Sequence, residues 1–399
     1  MSNPPKLFSF FAGCGFLDLG FELSGFDIVY VNEIHPSFIE AYRYSRQQLQ
    51  CPSPQYGYHQ GEKGDITQLT QGEQALRLRH LIQDARRSTD LVGFIGGPPC
   101  PDFSIGGKNR GSEGDHGQLS ACYIELICQQ RPDFFLFENV KGLWTTHKHR
   151  AFFNTLKYKL QQSGYILTER LINSIEYGVP QNRERIILIG FRDDLIKDKG
   201  IRIQQSHKVL PEGVFPWNSQ TLYSKEKVFS YPWPSTAPFK ADSELTCPHG
   251  IVPELTVEYW FKKNDVVNHP NSQHHFQPRS GIKRFASVDE GDDSKKSYKR
   301  LHRWRYSPTA CYGNNEVHLH PYKVRRLSVA ETLAIQSLPK GFALPDTMSL
   351  TNMFKTVGNG VPFLASRAIA RTILDFLNTT EWHYQESFDQ RLELPLSIF

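Results

Sequence analysis

The chain has 399 residues, of which 39% are hydrophobic and 22% are charged, and its formal net charge is +5. This composition is typical of a globular protein with one large domain and a smaller one, and no apolar run is long enough to span a bilayer. The mild positive charge is compatible with a polyanionic partner. Seven cysteines without a Cys-x-x-Cys pair argue against a disulfide framework and a zinc site, so we predict reduced thiols and no metal.

The first half of the chain alternates strand and helix patterns. Apolar runs predict strands at residues 7–11, 27–31, 91–95, 133–137, 165–175 and 185–191. Helices are predicted between them, including residues 36–44 and a stripe formed by Leu119, Tyr123, Leu126 and Ile127. This alternation predicts an α/β fold with a mostly parallel sheet covered on both faces.

The pattern changes after residue 191. Residues 192–320 are rich in Pro, His, Ser, Tyr and Trp and have little periodicity, whereas helix patterning returns at residue 325 and a last helix is predicted at residues 362–377. We therefore predict a main domain from residues 1–191 plus 325–380, a smaller domain formed by an inserted segment over residues 192–324, and a C-terminal tail over residues 381–399.

A glycine turn and two carboxylates indicate a nucleoside cofactor. Gly13-Cys14-Gly15 lies between the first predicted strand and helix, but Asp18 stands where a dinucleotide fingerprint has its third glycine, which argues against a dehydrogenase. Glu33, at the end of the second strand, can accept hydrogen bonds from ribose hydroxyls. Asp65 is predicted to end another strand and to accept from an adenine amino group. A phosphate-free adenosine cofactor fits this set, and S-adenosylmethionine is the common one.

Three further sequence motifs contain residues that are suited to catalysis. Gly96-Gly-Pro-Pro-Cys100-Pro follows a buried strand and places a cysteine where open sheets bind ligands; its thiolate would be the reactive form. Phe137-Glu138-Asn-Val ends the next strand, and burial can keep such a carboxyl protonated so that it donates to a ring nitrogen. The third string, Gln181-x-Arg183-x-Arg185, adds two arginines.

With these strings in family order, the chain resembles DNA (cytosine-5)-methyltransferases along nearly its whole length outside residues 192–303. The glutamine that usually follows the catalytic cysteine in that family is replaced here by Pro101 and Asp102, and Phe16 stands where a second glycine is common. The motifs are Phe11-Ala-Gly-Cys-Gly, Gly64-Asp-Ile, Pro98-Pro-Cys, Glu138-Asn-Val, Gln181-x-Arg-x-Arg, Arg325-Arg-Leu-Ser-x-x-Glu331 and Val357-Gly-Asn-Gly-Val-Pro.

The resemblance implies an S-adenosylmethionine-dependent, Rossmann-like mixed sheet, with the inserted segment as target-recognition domain. It implies that Cys100 adds to carbon 6 of a flipped cytosine. It also implies that Glu138 contacts ring nitrogen 3 and the amine, and that Arg185, with Arg183 nearby, reaches the carbonyl at carbon 2. The implied cofactor-binding residues are Phe11, Gly13, Gly15, Glu33, Asp65, Pro98, Leu119, Asn359 and Val361.

The resemblance implies double-stranded DNA as the partner. It also implies a monomeric enzyme of bacterial or phage origin that acts in the cytoplasm and is paired with a restriction endonuclease. Neither a signal peptide nor a membrane segment is predicted. Two alternatives are a tRNA cytosine-5 methyltransferase and a relative that has lost catalysis. Arginine and lysine read guanine in the major groove, and the candidates for this role are Arg279, Lys283, Arg284, Arg300, Arg303 and Arg305.

Overall fold

The computed structural model describes residues 3–57, 64–89, 91–99, 115–204, 207–278, 282–295, 297–309 and 317–379, with residues 115 and 116 described for the backbone alone. The strands are β1 (Lys6–Phe10), β2 (Asp27–Asn32), β3 (Val92–Gly96), β4 (Phe134–Val140), β5 (Tyr165–Asn173), β6 (Glu184–Arg192), β7 (Lys299–Arg300) and β8 (His318–Leu319). The helices are α1 (Phe16–Glu22), α2 (Pro36–Leu49), α3 (Gly72–Arg86), α4 (Asp115–Gln130), α5 (Lys141–Thr145), α6 (His147–Gln162), α7 (Asp193–Asp198), α8 (Lys225–Ser230), α9 (Val257–Lys263), α10 (Ile282–Ala286), α11 (Val329–Ile335), α12 (Leu350–Asn359) and α13 (Phe363–Asn378).

Six strands form one mixed sheet in the order β2-β1-β3-β4-β6-β5. The first four are parallel, whereas β6 runs antiparallel to both β4 and β5. β3 is buried along its whole length, as expected for a strand covered on both faces. The predicted α/β class with a mixed sheet is confirmed.

Two apolar clusters cover the faces of the sheet. Helix α13 packs on α1 and contributes Ile369 and Phe376 to the cluster on one face. Helices α4 and α6 contribute Tyr123 and Phe153 to the cluster on the other face. The core therefore joins the two ends of the chain around one sheet.

One edge of the sheet gathers the ends of several strands. Phe10 pairs with both Asn32 and Gly96, so β1, β2 and β3 end side by side. Because β6 is antiparallel, its beginning lies at the same edge, where Arg185 pairs with Val140 at the end of β4. The residues that follow β1, β2 and β3 therefore lie on the same side of the sheet as the residues that begin β6.

Some element boundaries differ from the sequence predictions. Strand β5 ends at Asn173 because that side chain caps a short 3-10 helix (Ser174–Tyr177). Helix α2 continues five residues beyond 44, with Arg46 buried on its inner face. Among the described residues of the inserted segment only short helices and strands occur, and no helix in the described part of the chain is long and apolar enough to cross a membrane.

Candidate active site

The loop after β1 is a tight turn built from left-handed residues. Phe11, Gly13 and Gly15 have φ angles of 54°, 58° and 80°, which glycine adopts without strain and phenylalanine rarely does. A Cβ on Gly15 would lie 2.5 Å from atoms of Arg46 and Tyr42. Glycine is therefore required at position 15 by both the backbone and the packing.

The carboxylate of Glu33 anchors this turn. It follows β2, and its two oxygens accept hydrogen bonds from the backbone N–H groups of Gly13 and His35, each at 2.8 Å. Burial raises the pKa of Glu33, although these backbone donors oppose the shift. Each oxygen keeps a lone pair for a hydroxyl group, so the predicted ribose-binding role is compatible with the geometry.

A buried arginine beneath the turn was not predicted. The Arg46 guanidinium donates to the carbonyl of Gly15 at 2.9 Å and to Glu22 at 3.0 Å. It lies over the ring of Tyr42, whose hydroxyl donates to buried Asp18 at 2.9 Å. An arginine on a polar helix gives no sequence signal for this role, because its burial depends on the turn that packs against it.

Asp65 itself lies in no strand, and residues 58–63, where the predicted strand would lie, are outside the described residues. Asp65 instead begins a 3-10 helix (Ile66–Thr70), where Oδ1 accepts from the Thr67 backbone N–H at 3.0 Å and from the Thr67 hydroxyl at 2.8 Å. Asp65 nevertheless lines the same cavity as Glu33.

The loop after β3 is tied to the end of β4. The Asn139 side chain donates to the carbonyl of Pro98 at 3.4 Å and accepts from the backbone of Val140. Cys100, the predicted nucleophile, lies outside the described residues, as do Pro101 and Asp102. Pro98 itself is buried and lines the cavity.

Glu138 and Arg185 form an ion pair in the cavity. Arg185 Nε lies 3.1 Å from Glu138 Oε1, with the two side chains only 13% and 10% exposed. Burial raises the pKa of Glu138, and Arg185 opposes this without cancelling it. A Cβ on Gly97 would lie 2.7 Å from the other oxygen, Oε2, so glycine at position 97 leaves room for the carboxyl group.

Arg183 occupies a different position from Arg185. It is 1% exposed, and its guanidinium donates to the carbonyl of Gly358, near the end of α12, at 3.0 Å. Its backbone N–H donates to the side chain of Asn173. Arg183 thus joins the start of β6 to α12, whose last residue is Asn359.

A single cavity of about 1550 Å³ collects almost all the predicted residues. This exceeds the range of about 300–1,000 Å³ for common small-molecule pockets, which leaves room for a cofactor and a base together. Gly15, which was also predicted to bind the cofactor, is absent from the described wall and packs against Arg46 and Tyr42 instead. The predicted residues on the wall are Phe11, Gly13, Glu33, Asp65, Pro98, Leu119, Glu138, Arg183, Arg185, Asn359 and Val361.

The inserted segment supplies another wall of this cavity. The candidate base reader Arg305 lines it together with Lys299, which was not a candidate, whereas two other candidates are committed to internal contacts. Arg300 is fully buried and donates to backbone carbonyls that include that of Val288 at 2.7 Å. Arg303 is buried against Glu290 at 2.8 Å. Lys283 and Arg284 are exposed on α10, and Arg279 lies outside the described residues.

The inserted segment is also bonded to the loop that precedes β6. The backbone N–H of Ser307 donates to the carbonyl of Pro180 at 2.8 Å, and that of Asn182 donates to the carbonyl of Ser307 at 2.9 Å. The Thr309 hydroxyl donates to the carbonyl of Asn182 at 2.7 Å. The inserted segment therefore braces the loop that carries Arg183 and leads into Arg185 in β6.

The residues around the turn fit an adenosine-type cofactor. A carboxylate at the end of β2 suits ribose hydroxyls, and Asp65 presents a second carboxylate on the same wall. Within the described residues, His35 Nδ1 is buried beside this cavity without a hydrogen-bond partner. These groups offer polar contacts that a nucleoside can satisfy.

Comparisons with known proteins identify the family of this chain. A family model described as C-5 cytosine-specific DNA methylase matches residues 6–375. The type II methyltransferase M.NmeDI of Neisseria meningitidis serogroup C is 55% identical over 381 residues, covering 96% of this chain and 85% of that protein. M.FnuDI of Fusobacterium nucleatum, also a type II methyltransferase, is 28% identical over 94% of this chain and 96% of its own length.

Solved structures share the fold. A putative DNA modification methyltransferase encoded within an Escherichia coli prophage has a TM-score of 0.60 at 20% identity, covering 94% of this chain and 99% of that one. The Dnmt2 methyltransferase of S. pombe has a TM-score of 0.54 at 12% identity, covering 94% and 98%. At such identities the likeness concerns the fold alone.

The sheet and the cavity define a methyltransferase of the S-adenosylmethionine-dependent class. The chain belongs to the C-5 cytosine-specific DNA methylase family: it is a DNA (cytosine-5)-methyltransferase, and its methyl donor is S-adenosyl-L-methionine. The predicted family, enzyme class and cofactor are confirmed.

Proposed function

We propose that this enzyme methylates cytosine within a specific duplex DNA sequence, with Cys100 as nucleophile and the cavity around Glu138 and Arg185 as the base pocket. The observation that carries the proposal is the buried Glu138–Arg185 pair, 3.1 Å apart. It lies beside the Pro98 loop, and Pro98 precedes Cys100 by two positions in the chain.

Glu138 and Arg185 activate the ring. Burial raises the pKa of Glu138, which favours a carboxyl group that donates its proton to ring nitrogen 3. The Arg185 guanidinium draws electron density towards the carbonyl oxygen at carbon 2. Both effects make carbon 6 electrophilic, so that the Cys100 thiolate forms a bond there and carbon 5 becomes nucleophilic.

The remaining steps restore the aromatic ring. When bound, S-adenosylmethionine supplies an electrophilic methyl group for carbon 5. Loss of the proton from carbon 5 to a base, return of the proton from ring nitrogen 3 to Glu138 and cleavage of the sulfur–carbon 6 bond then release the methylated base and the Cys100 thiolate. The Pro98 carbonyl, held by Asn139 at 3.4 Å, accepts from the exocyclic amine and orients the ring.

The target base has to leave the helix, because its carbon 5 and carbon 6 are covered in a stacked duplex. Flipping costs a few kcal/mol, which contacts in the pocket offset. The cavity of about 1550 Å³ has room for the extruded base next to the cofactor. We assign cofactor binding to Phe11, Gly13, Glu33, Asp65, Pro98, Leu119, Asn359 and Val361, with Gly15 shaping the turn.

The inserted segment is assigned to sequence recognition, with Arg305 as its foremost candidate reader because it lines the cavity. Bacterial relatives named as type II methyltransferases support a role as the modification partner of a restriction endonuclease in the cytoplasm. We expect the enzyme to act as a monomer. A restriction endonuclease gene next to the gene of this enzyme would support a restriction–modification pair. If that endonuclease still cleaved DNA that this enzyme had methylated, the proposed pair would be contradicted.

The test is methyl transfer from labelled S-adenosylmethionine to unmethylated DNA and, in parallel, to tRNA. We expect 5-methylcytosine in DNA alone, whereas label in tRNA alone would contradict the proposal. Cys100→Ser should abolish turnover and retain cofactor binding, measured by calorimetry. Near-wild-type turnover in this variant would exclude Cys100 as nucleophile.

A further inference from the structure

An ion-pair triad lies at the base pocket. Lys141 Nζ lies 2.5 Å from Glu184 Oε2, and Lys225 Nζ lies 2.7 Å from Glu184 Oε1. Lys141 begins α5, Glu184 begins β6, and Lys225 begins α8 in the inserted segment. One carboxylate therefore holds two ammonium groups that come from separate parts of the chain.

The triad adjoins the groups that hold the target base. Glu184 directly precedes Arg185, and Lys141 follows Glu138 by three residues. Both Glu184 and Lys141 line the cavity. A nucleotide whose base contacts Glu138 and Arg185 carries its phosphates outside these ring contacts, and the triad is a positively charged group on the chain segments next to both residues.

The two lysines retain capacity for an anion. An ammonium group has three donors, and each lysine gives one to Glu184. Their side chains are 43% and 41% exposed, so the other donors face solvent. Burial alone would raise the pKa of Glu184, but the two lysines outweigh it and the net shift is downward. The carboxylate stays charged and the triad carries a net charge of +1.

The ion pair between Lys157 and Glu169 differs from the triad in charge and exposure. Lys157 lies 2.7 Å from Glu169, one lysine to one carboxylate, with the lysine side chain 21% exposed. That pair is neutral, and its lysine also lies over the rings of Phe153 and Trp144. The triad has one cation in excess and more exposed ammonium groups.

We propose that Lys141 and Lys225 bind phosphodiester oxygens of the DNA strand that carries the target cytosine, with Glu184 holding both in place before DNA arrives. The inference rests on the DNA methyltransferase function and adds a backbone site to it. Long lysine side chains lose rotamer freedom on binding, and a partner that already orders them lowers that cost.

The experiment measures DNA affinity of the full chain across a range of salt concentrations for Lys141→Gln, Lys225→Gln and the double variant. Each lost phosphate contact should reduce the slope of log K against log salt by about 0.9, and the double variant should lose about 1.8. Lys157→Gln is the matched control and should keep the wild-type slope.

Loss of a phosphate contact should weaken DNA binding whatever bases flank the target cytosine, because phosphates carry no sequence information. We therefore expect equal losses on target-containing duplexes with different flanking sequences, whereas a loss that depends on the flanking base pairs would assign the lysines to base recognition and overturn the proposal. Glu184→Gln retains both lysines and should therefore keep the wild-type salt slope. A slope that falls as much as in the double lysine variant would contradict the proposal that Glu184 only positions the two lysines.

Wild-type slopes in both lysine variants would refute the phosphate site while leaving the methyltransferase function intact. A wild-type protein whose DNA binding does not depend on salt would contradict duplex DNA binding itself. Unchanged cofactor affinity by calorimetry shows that each variant is folded.

Discussion

Gly97→Ala should damage catalysis without damaging the fold. Gly97 does not have a left-handed backbone, so alanine fits its conformation. The new methyl group, however, would lie 2.7 Å from Glu138 Oε2, and the carboxyl group must retreat by about 0.7 Å to reach the 3.4 Å of ordinary contact. Arg185 holds the other oxygen at 3.1 Å, so the retreat disturbs the pair.

The expected magnitude follows from this displacement. A misplacement of about 1 Å costs about 100-fold in rate, which corresponds to about 2.7 kcal/mol of barrier. We expect kcat for methyl transfer, measured in single turnover with labelled cofactor, to fall by about that factor. Cofactor affinity and thermal midpoint should change little.

Gly341→Ala is the matched control. Its Cβ would meet only the end of the Leu49 side chain at 3.2 Å, and Gly341 is not part of the cavity wall. It should retain wild-type kcat. Wild-type kcat in Gly97→Ala would refute the reasoning that Gly97 sets the position of the Glu138 carboxyl group.

Three further predictions concern single residues. Glu138→Gln removes the transferable proton, so kcat should fall by about 10²–10⁴-fold. Because burial raises the pKa of Glu138, wild-type activity should decline as the pH rises through that pKa. If the variant's pH–rate profile kept this decline, the assignment of Glu138 as proton donor would be contradicted. Gly15→Ala forces alanine into a left-handed backbone and against Arg46, so urea unfolding should show a loss of at least about 1–2 kcal/mol, and unchanged stability would be inconsistent with the turn. Burial would raise the pKa of Glu331, but buried His320 and the Arg325 guanidinium outweigh this effect, so the pKa is lowered. The lowered pKa adds stability that is present above about pH 4.3 and is lost as the pH falls below that value. The thermal midpoint of Glu331→Gln should therefore depend less on acid pH than that of the wild type.

Residues at strand ends were predictable because local patterns identify strands and parallel strands end together. Glu33 and Glu138 follow buried apolar runs, and Phe10 pairs in register with both of its neighbours. Arg185 reaches the same edge only because β6 is antiparallel. That reversal is set by long-range pairing, which periodicity does not encode; the family resemblance implied a mixed sheet but did not identify the antiparallel strand.

Buried arginines were not predictable in the same way. Arg46 on α2 and Arg300 and Arg303 in a basic run have the sequence context of solvent-facing cations, yet all three are at most 3% exposed. Their partners are largely backbone carbonyls and carboxylates brought close by the tertiary fold. Local sequence does not encode such contacts, and for this reason two base-reading candidates became structural residues.

The bonds between residues 307–309 and 180–182 bear on how new specificities can be engineered. Two of the three join backbone to backbone, so they do not depend on which side chains stand at those positions, and the third needs only the hydroxyl of Thr309. A chimaera that receives a foreign recognition segment should therefore keep its junction upstream of Ser307 and leave Thr309 in place. On the proposed assignment of the inserted segment to sequence recognition, such a graft would exchange the DNA sequence that is recognised and preserve the support of the loop that carries Arg183 and leads into β6.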